Sequence, residues 1–438
     1  MEIHYKDSGI EWIGKIPATW GVDRFKNRFK TGKGLNITKG DLVPEGIPVV
    51  SYGQIHSKIN KGTHLDDLLI RYIPSSLTEG GISSKVNVGD FIFADTSEDI
   101  DGCGNAVYVD KEMGLFAGYH SVIAFAKHPE ESKYFAYLFL TECWRSQIRM
   151  RVTGIKVFSI SQAILNETTI ILPPLVDQQR IANYLDEKCG EIDSLIELQE
   201  QMIEKLKIYK QSVISEAVTR GLDPNASMKQ SGIDWLNTIP THWNIVTPKA
   251  MFSLRKEKAK EGERQLTASQ QYGIIYQNEY MELTGSRIVT VMKDFDILKH
   301  VESGDFVISM RSFQGGLEYS EKTGSISSAY VMLIPNLEYV YPKFYRWLFK
   351  SSYYINALQS TSNMVRDGQA MRYTNFLKVP LYLVPLQEQK QIASFLDEKC
   401  TDIDQLIELK MQKMEKLKDY KKSVIYEIVT GKSNLSIS

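Results

Sequence analysis

Apolar residues recur at steps of three, four and seven between Pro174 and Gly221: Ile181, Leu185, Ile192, Leu195, Ile196, Met202, Ile203, Leu206, Val213, Ile214 and Val218. That spacing predicts one long amphipathic helix. Pro173 and Pro174 stop the strand before it, Asp177 opens it as a cap and Gly221 closes it. The pattern returns between Pro385 and Gly431, with Glu388 in the place of Asp177. About 42 helical residues at 1.5 Å each make a rod of roughly 60 Å. A helix so long, charged on one side, needs a partner along its length. The other copy is the simplest partner, in an antiparallel coiled coil; the alternative is that each helix packs only on its own domain. The expected seam is Ile181, Leu185, Ile192 and Leu206 from the first helix, and Ile392, Leu396, Ile403 and Leu417 from the second.

Between these helices the period shortens. IPVVSYG (47–53), DFIFAD (90–95) and SVIAFA (121–126) read as short strands among Gly-rich turns, as do GIIYQ (273–277), DFVISM (305–310) and AYVMLI (329–334). Both regions start a strand with Gly-Asp-Phe, at Gly89 and at Gly304. Each then has one aromatic helix candidate, KYFAYLFLTECWRSQI (133–148) and KFYRWLFKSSYYINAL (343–358). The expected fold class is therefore α+β: two globular domains of related fold, separated by two long α-helices, as an internal pseudo-twofold duplication.

The duplication is explicit in the letters. Residues 172–219 align with 383–430 without a gap, identical at 30 of 48 positions. SGIEWIGKIPATW (8–20) matches SGIDWLNTIPTHW (231–243) at 7 of 13. The intervening regions, 21–171 and 244–382, hardly resemble each other, and the second is 12 residues shorter between the two signatures. A period of over 200 residues is a copied domain with its connector, too long for a solenoid. The expected boundaries are 1–173 and 222–384 for the globular domains, 174–221 and 385–432 for the helices, and 433–438 for a tail.

A net charge of −1 excludes a uniformly basic nucleic-acid binder, so any such function must use local patches. Those patches exist. Arg24, Lys26, Arg28, Lys30, Lys33 and Lys39 crowd one stretch, and Arg145, Arg149, Arg151 and Lys156 another. Arg255, Lys256, Lys258 and Lys260, then Arg366 and Arg372, follow in the second half. Lysine and arginine draw in phosphates without reading sequence. For any one of them, solvated surface charge is the plainer alternative. Base reading needs polar loops after strands. MRSFQGG (310–316) offers Arg311, suited to guanine, and Gln314, suited to adenine. The matching loop, DTSEDIDG (95–102), offers carboxylates that can accept from cytosine, but reads for the most part as an ordinary turn.

The four cysteines, Cys103, Cys143, Cys189 and Cys400, form no CxxC pair, so neither a zinc site nor a redox dithiol is expected. Cys189 and Cys400 would lie toward opposite ends of an antiparallel pair, too far for a disulfide, and read as small buried seam residues. There is no run of about 18 apolar residues and no signal-peptide pattern, so a cytoplasmic chain without membrane contact is expected. GxxxxGK[ST], HExxH, G-x-S-x-G and the Asn/Asp-Pro-Pro-aromatic signature of amino-methyltransferases are all missing. Asp186-Glu187 in the copied helix reads as a solvated face or as first-turn partners of the helix dipole. A scaffold or reader fits better than an enzyme; a stand-alone nuclease and a protein-only coiled-coil adaptor are the rivals.

The KDSGIEWIGKIPATW head, PLxxQxxIAxxLDEK at both helix starts, the VTRGLDPN exit and the second head together resemble the specificity subunit of type I restriction–modification systems, from end to end. The resemblance implies a non-catalytic subunit without a cofactor of its own. Each middle would be a target recognition domain reading half of a bipartite, asymmetric double-stranded DNA site through the major groove. The helices would space the halves and dock two modification subunits, which carry S-adenosylmethionine and flip out the target adenine. Restriction subunits would bring ATP and Mg. The resemblance also implies DNA contact at Gly154–Ser159 and at Gly368–Tyr373, hence Lys156, Gln369 and Arg372, and next at Tyr52 and Gln54 and at the corresponding 269–273.

Overall fold

The computed structural model describes residues 4–11, 13–154, 156–288, 297–310, 312–361 and 371–433. The chain divides into two compact units, Met1–Gln199 with Gln412–Ser438, and Glu200–Met411. Each long helix contributes one half to each unit.

The first unit begins with a hairpin, Tyr5–Asp7 against Lys15–Pro17. Gly21–Arg24 then pairs antiparallel with Thr169–Leu172, the last strand before the long helix, so the domain closes where it opened. Inside lies an antiparallel sheet in the order Phe29–Lys33, Ser121–Ala126, Phe91–Ala94, Ala106–Tyr108. Its inner face carries Phe29, Phe91 and Phe93 against Phe139 and Trp144, whose rings lie 4.3 Å apart. The aromatic segment forms two helices, Ser132–Leu138 and Glu142–Arg149, rather than the single one expected. The break lets both Phe139 and Trp144 turn into one core.

The second unit repeats this plan with different letters. Met228–Ile233 and Leu236–Pro240 form the hairpin, and Asn244–Val246 pairs with Leu381–Leu383. The sheet runs Phe252–Leu254, Val331–Pro335, Phe306–Ile308, Glu318–Tyr319. The aromatic segment again breaks, into Pro342–Leu348 and Ser352–Ser360. Ser351 starts the second piece by accepting the Tyr354 N–H. The Gly-Asp-Phe aspartates do the same work in both: Asp90 accepts the Asn87 and Ala126 N–H groups, and Asp305 that of Glu302.

The long helices run Leu175–Arg220 (46 residues) and Leu386–Val429 (44 residues). At 1.5 Å per residue they are about 69 and 66 Å long. They pair antiparallel within each unit. In the first, Ile181, Leu185 and Cys189 share a core with Ile425, Ile428 and Val429, and Lys421 reaches Asp193 at 2.7 Å. In the second, Ile214, Ala217 and Val218 share a core with Ile392, Ala393, Leu396 and Cys400, and Lys210 reaches Asp404 at 2.6 Å. Those are the domain cores themselves, so pairing and packing on the own domain are not alternatives; the helix ends do both. Of the expected seam, Ile181, Leu185, Ile192, Ile392, Leu396 and Ile403 are buried, while Leu206 and Leu417 are half-buried.

The copied signature is a joint. Gln178, buried, donates to the Pro173 carbonyl at 2.8 Å. Gln389, also buried, donates to the Val384 and Tyr339 carbonyls and accepts the Tyr341 N–H. Asp186 is exposed, as expected of a solvated face, and also accepts from the Tyr137 hydroxyl at 2.6 Å, as Asp397 accepts from the Trp347 indole at 2.8 Å. Glu388 accepts from the Trp243 indole at 3.1 Å, and Gly221, at φ +76°, leaves room for it, since a Cβ there would lie 2.9 Å from its Oε1. Glu388, expected as the cap, lies inside the first turn of the second helix, where it ties head to tail.

Candidate nucleic-acid interface

In the first domain, strand Ile47–Val50 leads into a one-turn helix, Tyr52–Ile55. The Gln54 side-chain oxygen accepts the Ser51 N–H at 3.2 Å, so this expected DNA contact has its carbonyl committed to capping. Tyr52 lies open on one side and packs on His56, with ring centroids 4.7 Å apart. Burial, then Glu98, Asp99 and Asp95, push its hydroxyl above the ordinary tyrosine range, so it stays a neutral donor. His56 is held at both nitrogens: Nε2 donates to the Thr96 carbonyl at 2.9 Å, and Nδ1 faces the Asn105 amide at 3.2 Å.

Residues 95–102 are more than an ordinary turn. Thr96–Ser97 pairs with Phe158–Ser159, which joins the acidic loop to the loop that carries Lys156. Gly154, at φ +147°, makes that second loop possible, because a side chain there would run into the Val157 carbonyl. Lys156 is exposed at its tip. Arg145 binds the Asn105 side chain, and Arg149 donates to the Asp101 carbonyl at 3.2 Å and to Glu142 at 2.6 Å. Those two arginines build the loop; they are not idle cations. Arg151 is exposed and donates to the Gln147 carbonyl at 2.7 Å. The result is a cleft lined by Tyr52, His56, Glu98, Asp99, Asp101 and Asn105.

The second domain sets different chemistry on the matching places. Its loop after Phe306–Ile308 becomes a short helix, Ser312–Gly315, with Gln314 exposed. A hairpin, Leu266–Ser269 with Gly273–Tyr276, holds Gln270, Gln271 and Tyr272 at its tip. The Ser269 hydroxyl accepts the Gln271 and Tyr272 N–H groups at 3.3 Å and fixes that tip. Arg372 is exposed and its N–H donates to Asn375 at 3.1 Å, at the start of the helix Tyr373–Leu377. Arg311, Arg366 and Gln369 lie outside the described residues.

Several expected phosphate contacts are already spent inside the protein. Arg24 pairs with Glu167 at 2.8 Å, Arg28 with Asp23 at 2.9 Å, and Arg255, largely buried, with Asp305 at 2.6 Å. Among the described residues Arg151, Lys156 and Arg372 make no ion pair, nor do Lys30 and Lys33 on the first sheet strand with Lys26 and Lys39 on either side of it, nor Lys256, Lys258 and Lys260 just beyond its counterpart. The free cations thus occur at equivalent places in the two folds. Sequence reasoning reached Gln270 only as part of the candidate loop 269–273 and missed His56, which no local signal marked, since only tertiary contact gives it neighbours. Among the described residues no group of three or more His, Cys, Asp or Glu side chains could hold a metal ion, and no helix is long and apolar enough to cross a membrane.

Comparison with known proteins agrees with this duplicated plan. The family model for the type I restriction modification DNA specificity domain matches twice, at residues 33–207 and 240–419. A Methanocaldococcus jannaschii chain assigned as the MjaX type I restriction enzyme specificity subunit is 24% identical, over 96% of this chain and 95% of its own length. The MjaVIII specificity subunit of the same organism is 24% identical over 68% and 69% of the two chains. Among solved structures, a chain from a study of complex assembly and conformational transition in a type I restriction–modification system aligns with a TM-score of 0.68 at 16% identity, covering 95% of this chain and 99% of the other. The HsdS subunit of Thermoanaerobacter tengcongensis aligns with a TM-score of 0.50 at 16% identity, over 95% and 98%.

Proposed function

Because the chain belongs to the family of type I restriction–modification DNA specificity subunits, with two specificity domains, we propose that each domain reads one half of a split, asymmetric DNA site. The observation that carries this reading is one fold presenting two chemistries. Equivalent loops offer Tyr52, His56 and carboxylates in the first domain, and glutamine amides with Tyr272 in the second. A pair of identical readers would need a palindrome; unlike readers on like mounts call for unlike half-sites. The free lysines at equivalent places supply sequence-independent phosphate attraction. The long helices set the unread gap.

The chain itself is non-catalytic in this reading. S-adenosylmethionine belongs to two modification subunits, and ATP and Mg to restriction subunits. The copied helices also copy an exposed surface that fits such a partner pair. Tyr184 (38% exposed) corresponds to Phe395 (39%), and Tyr209 (49%) to Tyr420 (51%). In the second unit Tyr209 and Phe395 line one cleft with Leu222 and Met228. Aromatic residues left open at four corresponding positions are anchors of the kind that protein interfaces use.

The test is to produce the full chain with its modification subunit in a host lacking other adenine methylation, and to sequence the methylated bases. A split, non-palindromic motif is expected. A palindromic motif, or adenine methylation without a motif, would overturn the reading. Tyr209→Ala with Tyr420→Ala should leave the chain folded and abolish methylation by loss of the partner in pull-down; retention of the partner would remove these tyrosines from the interface.

A further inference from the structure

Resting on the reading above, we infer that Gln270 and Gln314 act as a paired amide reader that selects an A·T base pair in the half-site of the second domain. The two residues come from segments far apart in the chain, and the fold brings them together at a glycine. A Cβ on Gly315 would lie 2.8 Å from both Cγ and Nε2 of Gln270, so the Gln270 side chain rests directly on the backbone next to Gln314. Gly316 anchors that backbone: at φ +78° it packs so closely on the Phe349 carbonyl that a side chain there would collide with it. Phe349 is itself fully buried, so the mount is part of the core. On the other side, the Ser309 N–H is held by the Ser312 hydroxyl at 2.9 Å.

Both amides are exposed, and neither makes a hydrogen bond to another described residue. Gln54, the glutamine of the corresponding loop in the first domain, has its oxygen occupied by the Ser51 N–H. The second domain therefore offers what the first withholds: a complete donor–acceptor edge on a rigid support. A carboxamide matches adenine in the major groove, its N–H to N7 and its oxygen to the N6 amino group. Guanine shows two acceptors, N7 and O6, and turns one oxygen against the amide oxygen. Tyr272, partly exposed at the same hairpin tip, gives an apolar contact of the kind that suits a thymine methyl group. Adenine selection follows from the amide edge, and thymine on the opposite strand from pairing.

The experiment uses the full chain with its modification subunit and the same methylated-base sequencing, followed by binding to duplexes that differ at single positions. Gln270→Ala and Gln314→Ala should each relax an A·T position in one half-site only, with discrimination against the wrong pair falling about tenfold to a hundredfold. Gly315→Ala should relax the same position as Gln270→Ala, because the added methyl displaces that side chain. Tyr52→Ala and Lys156→Ala should act on the other half. An unchanged motif in both glutamine variants, relaxation at a G·C position, or weakening by the same factor on every duplex would overturn the inference. Unchanged thermal unfolding midpoints would show these effects to be local. If the unaltered chain yields no split motif, the broader reading fails first, and the two failures are distinguishable.

Discussion

Gln389 is one side chain that fixes a junction. It joins the turn after the last strand, the Tyr339–Tyr341 loop and the first turn of the helix through three hydrogen bonds. Gln389→Ala leaves those buried backbone groups unpaired, at about 1–3 kcal/mol each. A urea unfolding curve should show a larger loss than for Gln178→Ala, for which one such bond is described. The matched cysteines make a second test. Burial pushes the Cys189 and Cys400 thiols up to about 11, so both are protonated at neutral pH. Iodoacetamide should leave them unmodified in the native protein at pH 7.5 and label them once urea unfolds it, because the thiolate is the nucleophile. Arg372→Ala belongs to the same scale. Contact with a base predicts relaxed specificity at one position and a loss of about 1–3 kcal/mol, whereas contact with phosphate predicts uniform weakening, and duplex-binding titrations separate the two.

The helices show what a periodicity can and cannot specify. Their apolar stripe is wider than a pair of helices can cover. Ile192 and Ile203 are buried, yet Leu195 is 44% exposed and Met202 is 38% exposed. A two-helix seam hides a narrow face, and the rest of the stripe is left for solvent or for partners. Ion pairs flank the seam. Burial works to raise the Asp193 carboxyl, but hydrogen bonds from Lys421 and Lys61 outweigh it and hold the group below the usual carboxylate range. A depressed folded value means stability present above the unfolded pKa of about 3.9 and lost as pH falls through the folded one. Acid unfolding of the native chain should therefore begin at higher pH in Lys421→Ala than in the parent, followed by circular dichroism between pH 5 and 2. At neutral pH the same substitution should cost about 0.2–1 kcal/mol, since the pair is only partly shielded.

At the scale of the molecule, the first hairpin and the end of the second long helix meet in one unit. The Tyr5 hydroxyl donates to the Gly431 carbonyl at 3.1 Å, and the Tyr134 hydroxyl to the Val429 carbonyl at 3.0 Å. The second unit has the corresponding closure, with the Tyr382 hydroxyl on the Val218 carbonyl and Trp243 on Glu388. Each reading domain is thus clamped by the start of one long helix and the end of the other. If the helices act as the ruler, removing seven residues from the middle of both should change the gap in the methylated motif and keep both half-sites. Altered half-sites with an unchanged gap would refute the ruler.

The sequence by itself determined the duplication, the strands after Gly-Asp-Phe and the length and polarity of the two helices. Those are local or periodic properties, and a 3.6-residue period or a repeated word is visible without coordinates. It also marked Gln314 as a polar candidate in a loop after a strand, whereas Lys156 and Arg372 were singled out through the family resemblance. Tertiary structure alone decided which polar groups stay free. Arg28, Arg145, Arg149 and Arg255 look in the sequence like Lys30 or Lys258, but their partners lie elsewhere in the fold and claim them. Gln54 and Gln270 are the same residue type in matching loops, yet one caps a helix and the other faces outward. Hydrogen bonding is a matter of distance in space, and distance in the chain does not report it.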